Sequence, residues 1–296
     1  MKAVELQRVV VGVDFARQSG YAAEWIARHV ADAGELILVH CLEIPQPPRF
    51  LRGAMPDPAQ VEATLRSGAE ARLAELRHTL GHPNCRGVIR VGKPSEQICQ
   101  MADETAADLV VAGEHGARRG IWSLMGSTAE KLLACPRPVL LARGLPEGPP
   151  RRILAAVEED SAAPRVLAWG KTLAAKFGAE LTAIHVVSDS LYWCTERMYG
   201  ANEGRKMEET LHQQAGNWLR QQLDAAGIGA EEAAIRIVTG QPDYAIPVAA
   251  ESLEADLILI GRRSAAGLAS AVIGSASRSV IQYATCSVLV LERVQS

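Results

Sequence analysis

Along the whole chain, short uninterrupted apolar runs alternate with longer stretches whose apolar residues recur at helical spacing. Arg8-Val-Val-Val-Gly-Val-Asp14, Leu36-Ile-Leu-Val-His40 and Ala107-Asp-Leu-Val-Val-Ala-Gly113 are too short for stable helices. Continuous apolar runs of this length are the pattern of parallel strands covered on both faces. Tyr21 to Val30, Val61 to Leu80 and Ser95 to Thr105 carry the helical pattern between them. This alternation predicts βαβ units and a parallel sheet with helices on both faces. Five strands are expected in the first half, over 8–14, 35–41, 87–91, 108–113 and 138–142.

The second half repeats the first. Arg152-Ile-Leu-Ala-Ala-Val-Glu158 echoes the first strand, Leu181-Thr-Ala-Ile-His185 the second, and Ile237-Val-Thr-Gly-Gln-Pro242 echoes Ile89-Arg-Val-Gly-Lys-Pro94. Ala255-Asp-Leu-Ile-Leu-Ile-Gly261 echoes Ala107 to Gly113, and Gly274-Ser275 echoes Gly126-Ser127. A spacing this long is duplication of a whole domain rather than a solenoid unit. Gly144-Leu-Pro-Glu-Gly-Pro-Pro150 reads as the linker, because its prolines and glycines sustain neither helix nor inner strand. The expected domains are residues 1–146 and 147–296.

Pro45 to Pro58 is too proline-rich for regular structure, and its counterpart Ser188 to Gly204 carries Tyr192, Trp193 and Tyr199. Each follows a second strand, so each is expected to be a loop able to cover a site. The aromatic cluster reads first as packing within such a lid and second as a platform for a base.

Composition narrows the function classes. A net charge of -3 with both signs interspersed offers no broad basic field, which argues against nucleic-acid binding and for a small ligand. The absence of a long apolar run and of a signal-peptide pattern near Met1 to Arg8 predicts a cytoplasmic protein that does not enter membranes. The six cysteines are scattered without CxxC pairs, which predicts reduced thiols and no structural zinc.

The sharpest motif is Gly113-Glu-His-Gly116, nine residues, then Gly126-Ser127-Thr128 opening a helix over Ala129 to Ala134. Glycines allow backbone amides to approach a phosphate, and a helix start offers unpaired N–H groups. His115 and Arg118 lie in this loop, where the ordinary reading is solvent exposure and the functional one a phosphate contact. Asp14, Cys41 and Gly113 fall at carboxyl ends of strands, where ligands of such sheets bind. Asp14 alone equally reads as a cap for the following helix, and Ser127 and Thr128 as N-caps. Cys41 reads as a small buried hydrophobe. His40 and His185, at equivalent strand ends, read as structural donors to backbone. No Gly-Lys-Ser/Thr follows the glycines, so a Walker lysine is missing and strong ATPase chemistry is not predicted.

The G-x2-G-x9-G-S/T pattern after an Ala-Asp-Leu-Val-Val strand, together with Val-Gly-Val-Asp14, resembles the universal stress protein family, and both halves fit. The resemblance implies two tandem Rossmann-like domains of the HUP type, each an open five-stranded parallel sheet in order 3-2-1-4-5. It also implies ATP binding, as in one subgroup of the family, with or without Mg²⁺. On that basis Asp14 would hold adenine or its ribose, and Val13 and Cys41 would line the base. Gly113, Gly116, Gly126, Ser127 and Thr128 would form the ribose and phosphate loop. The second half departs from the pattern at Ser264, in place of the second glycine, and at Glu158, in place of the aspartate. ATP is therefore expected in the first domain, while the second, which keeps Gly274 and Ser275 and so could still bind an anion, leaves room for an unknown ligand.

The leading expectation is a stress-response regulator that senses or signals by binding ATP and passes this to a protein partner. The alternatives are a slow nucleotide hydrolase and a scaffold whose second domain holds another metabolite. The two domains are expected to pair as an intramolecular pseudo-dimer through Val139 to Leu141 and Val288 to Leu291, with a homodimer of whole chains as a further option.

Overall fold

The structure is a computed structural model of the 296-residue chain and describes residues 4, 6–31, 34–44, 57–113, 127–160, 162–262 and 274–292. The chain divides into two compact units, Glu5–Ala142 and Arg143–Ser296.

In the first unit β1 (Arg8–Gly12), α1 (Arg17–His29), β2 (Glu35–Leu42), α2 (Pro58–Leu80), β3 (Cys85–Val91), α3 (Pro94–Glu104), β4 (Leu109–Gly113), α4 (Ser127–Leu132) and β5 (Val139–Ala142) follow one another. The strands are all parallel in the order β3-β2-β1-β4-β5. Val9, Val10 and Val11 are fully buried, as a central strand covered by helices on both faces requires. Strand order reverses between β1 and β4, which opens a crevice at their carboxyl ends.

The second unit contains β6 (Arg152–Ala156), α5 (Ala163–Phe177), β7 (Glu180–Val187), α6 (Ser190–Tyr199), α7 (Ala201–Ala225), β8 (Ala234–Thr239), α8 (Pro242–Ser252), β9 (Leu257–Gly261), α9 (Ser275–Tyr283) and β10 (Ser287–Leu291). Its parallel order β8-β7-β6-β9-β10 is the same winding, and both units have the predicted 3-2-1-4-5 sheet.

The repeated sequence motifs are repeated joints. Asp108 Oδ2 accepts from the amides of Gln7 and Arg8, both at 2.9 Å, and Asp256 Oδ2 accepts from Arg151 and Arg152 at 2.7 and 3.0 Å. One aspartate thus ties the start of each fourth strand to that of each first strand. Gly92 and Gly240 adopt φ of 132° and 142°, a region closed to side chains, and donate to Leu42 and Val187 at 3.0 Å. Pro94 and Pro242 then open the next helix, where a missing N–H is harmless.

One expectation is overturned. Ser190–Tyr199 is a helix, not a loop, and it packs against α7. Trp193 and Tyr199 are 58% and 69% exposed, so they do not pack as the inside of a lid. Pro45 to Pro56, the proline-rich counterpart in the first repeat, lies outside the described residues.

Candidate functional site

The end of β1 is held from both sides. Strand pairing stops at Gly12, but the Val13 amide still donates to Val39 O at 2.9 Å, and the Val13 carbonyl accepts from His40 Nδ1 at 2.8 Å. Val13 is 4% exposed and Asp14 is the first residue to turn outward. The registers Gly12↔Val39 and Val11↔Val111 bring Asp14 level with Cys41 and Val13 level with Gly113. Four of the predicted residues, Val13, Asp14, Cys41 and Gly113, thus share the carboxyl edge around the switch point.

Asp14 is committed to local structure as well. Its Oδ1 accepts from Ser19 Oγ at 2.6 Å and from the Ala16 amide at 3.0 Å, closing a turn into α1. Phe15 follows with φ of 60°, an uncommon conformation for a bulky residue that needs support from its surroundings. That support comes from two contacts: the His40 ring lies 4.3 Å from the Phe15 ring, tilted by 36°, and the Arg72 guanidinium lies over the same ring, 4.3 Å from its centroid. Ser19, Phe15 and Arg72 were not among the predicted site residues. Phe15 has no motif around it, and Arg72 reaches it from a helix more than fifty residues away.

Cys41 is half-buried rather than buried, with Sγ 3.9 Å from the Pro94 carbonyl. Burial, with help from nearby Glu43 and against the opposing pull of Arg90, pushes its thiol up to about 11. It is a neutral wall rather than a nucleophile. Ser127 and Thr128 open α4, exposed and half-buried respectively, while His115, Gly116, Arg118 and Gly126 lie outside the described residues. Among the described residues no group of three or more His, Cys, Asp or Glu comes together to hold a metal.

The second repeat solves the same problem with two residues. His185 Nδ1 meets Val157 O at 2.8 Å and the Val157 amide donates to Ile184 O at 2.9 Å, so Glu158 stands where Asp14 stands. The turn into the helix is instead closed by Asp160, whose Oδ1 accepts from the Ala162 amide at 2.9 Å. Trp218 of α7 packs against His185 at 4.8 Å, the rings tilted by 57°, in place of the phenylalanine and arginine. A pocket opens between β6 and β9, lined by Glu158, Asp160, Ile260, Gly261, Ala276 and Ser277 among others. Its two carboxylates repel phosphate, and its remaining walls are largely apolar.

The universal stress protein family model matches this chain twice, over residues 5–143 and 150–292. The chain belongs to the universal stress protein family. A universal stress protein of Mycobacterium tuberculosis is 25% identical over 306 residues, with 95% of each chain covered. One from Synechocystis sp. is 28% identical over 152 residues, covering 48% of this chain and 97% of its own. Among solved structures, a universal stress protein from Archaeoglobus fulgidus superposes with a TM-score of 0.69 at 21% identity, covering 98% of this chain and 99% of its own. A functionally unknown protein from Pseudomonas aeruginosa gives 0.67 at 20% identity, covering 97% and 93%. These tandem-length neighbours share the fold of this universal stress protein over both repeats.

Proposed function

We propose that this universal stress protein binds ATP in its first repeat and acts in the stress response through binding rather than turnover. The observation that carries the reading is the position of Asp14. Its carboxylate leaves β1 beside the switch point, level with Cys41, next to buried Val13 and across from Gly113. A ribose hydroxyl donates to such a carboxylate, Val13 and Cys41 give the base an apolar wall, and Gly113, Gly116, Gly126, Ser127 and Thr128 receive the phosphates. His115 and Arg118 lie in the same loop, where the Arg118 guanidinium supplies positive charge and His115 a ring N–H. Any Mg²⁺ arrives on the phosphates. Nothing in this set is an evident base or Walker lysine, so occupancy is the signal and a regulatory protein partner reads it.

The second repeat is read as a separate binding site for a ligand without phosphate. Glu158 and Asp160 line its pocket together, and two carboxylates disfavour an anion. The pair of readings is tested by measuring nucleotide retained after gentle purification of the whole chain and of its Asp14→Ala variant. ATP in the wild type and depletion in the variant support the proposal. Equal content in both, or phosphate release faster than dissociation, turns it toward the second repeat or toward hydrolysis.

A further inference from the structure

Cys99 on α3 and Cys135 in the turn after α4 are distant in sequence and adjacent in the fold. Helices α3 and α4 pack together, and Asp103, one turn after Cys99, pairs with Arg137, two residues after Cys135, which sets the two thiols side by side. The turn is fixed at both ends of this contact. The Cys135 amide donates to Leu132 O at 2.8 Å, and Arg137 Nε meets Asp103 Oδ1, on the last turn of α3, at 3.1 Å. The two segments that carry the thiols are therefore held against each other by backbone and ion pair. Cys99 is half-buried and Cys135 is buried, so an oxidant reaches the pair from the Cys99 side.

We propose that Cys99 and Cys135 are a modification site, a reversible intramolecular disulfide of the first repeat that forms on reaction with a hydroperoxide. In the first step the Cys99 sulfur, losing its proton, attacks the terminal peroxide oxygen. The O–O bond breaks, the proton goes to the departing water or alcohol, and Cys99 becomes a sulfenic acid. The Cys135 sulfur then attacks the Cys99 sulfur; the S–O bond breaks, and hydroxide leaves with the Cys135 proton as water. Two electrons have passed from the thiol pair to the peroxide, and a dithiol reductant returns them. The bond sets the sulfurs about 2.05 Å apart, a span that side chains on two packed segments can close. The neighbouring Cys99 and burial push the Cys135 thiol upward, so Cys99 is the sulfur that meets the peroxide and Cys135 gives up its proton only as it attacks the sulfenic acid. The chain between the two cysteines runs through β4 and α4, so the bond also encloses both ends of the predicted phosphate loop.

The whole chain is treated briefly with hydrogen peroxide, alkylated under denaturing conditions, and mapped by mass spectrometry. Exposed Cys194 is the internal standard for dose. The expected result is a Cys99–Cys135 linked peptide lighter by two hydrogens, recovered as free thiols after dithiothreitol. Cys99→Ser should leave Cys135 alkylable, and Cys135→Ala should carry Cys99 on to the sulfinic acid. Alkylation of both thiols in the wild type at a dose that oxidises Cys194 overturns the proposal, as does a link from either cysteine to a different one.

Discussion

The Nδ1 of His40 donates to the carbonyl oxygen of Val13 at 2.8 Å, bridging the end of β2 to the residue before Asp14. A carbonyl only accepts, so this nitrogen carries the proton and the imidazole is fixed in one orientation. His185 and Val157 make the same bond at the same length. A joint kept in both repeats, although only one has the full glycine motif, belongs to the fold first and to the ligand second.

His40→Ala leaves the Val13 carbonyl without its partner and removes one of the two contacts on the Phe15 ring. We expect a loss of about 1–3 kcal/mol in urea unfolding, together with weaker ATP binding because Asp14 follows directly. His185→Ala should cost a similar amount and leave ATP affinity unchanged.

Asp14 serves a turn and, in our account, a ribose. Asp14→Asn keeps an oxygen for Ser19 and Ala16, so stability should change by no more than about 0.5 kcal/mol, while nucleotide affinity falls. Equal losses in thermal stability and affinity would assign Asp14 to the turn alone. In the second repeat Asp160→Ala should destabilise by about 1 kcal/mol, since that residue closes the turn there.

Phe15→Ala retains the positive φ and removes the ring that both His40 and Arg72 contact. A cost of about 1–2 kcal/mol follows from the two ring contacts. A double-mutant cycle with Arg72→Ala should be non-additive, because both changes delete one cation–ring contact.

Alkali should loosen the protein through its thiols. Burial raises Cys41 and Cys286 from 9.0 to about 11. A raised pKa means that the folded state holds the proton longer than the unfolded one, so this contribution is full below pH 9 and is lost as pH climbs through 11. The urea midpoint should fall between about pH 9 and about pH 11, and less so in a Cys41→Ala variant.

Strand positions were legible because parallel strands buried on both faces read as continuous apolar runs. The sheet order came from the family resemblance, and His40 and His185 from their equivalent places. Helix Ser190–Tyr199 was missed because its counterpart is proline-rich and equivalence was carried across the repeats. Its own sequence, Ser-Leu-Tyr-Trp-Cys-Thr-Glu-Arg-Met-Tyr, contains no breaker before Gly200, which turns the chain at φ of 93°. The Phe15–His40–Arg72 cluster and the Cys99–Cys135 pair join residues from separate elements, and no local spacing announces them. The split of Asp14's two positions between Glu158 and Asp160 was half visible. The sequence shows Glu158 in place of the aspartate, but the turn that Asp160 closes with the Ala162 amide shows only in the fold.

We propose one ATP site per chain, in the first repeat. The most direct measurement is calorimetric titration of MgATP into nucleotide-free protein alongside Gly116→Val, Asp14→Ala and Gly274→Val. The account predicts one ATP per chain, lost with Gly116→Val, weakened about tenfold or more by Asp14→Ala as expected for one charged hydrogen bond, and unchanged by Gly274→Val. No binding at about millimolar ATP, near the −4 kcal/mol floor of useful affinity, or loss of binding with Gly274→Val alone, would contradict it.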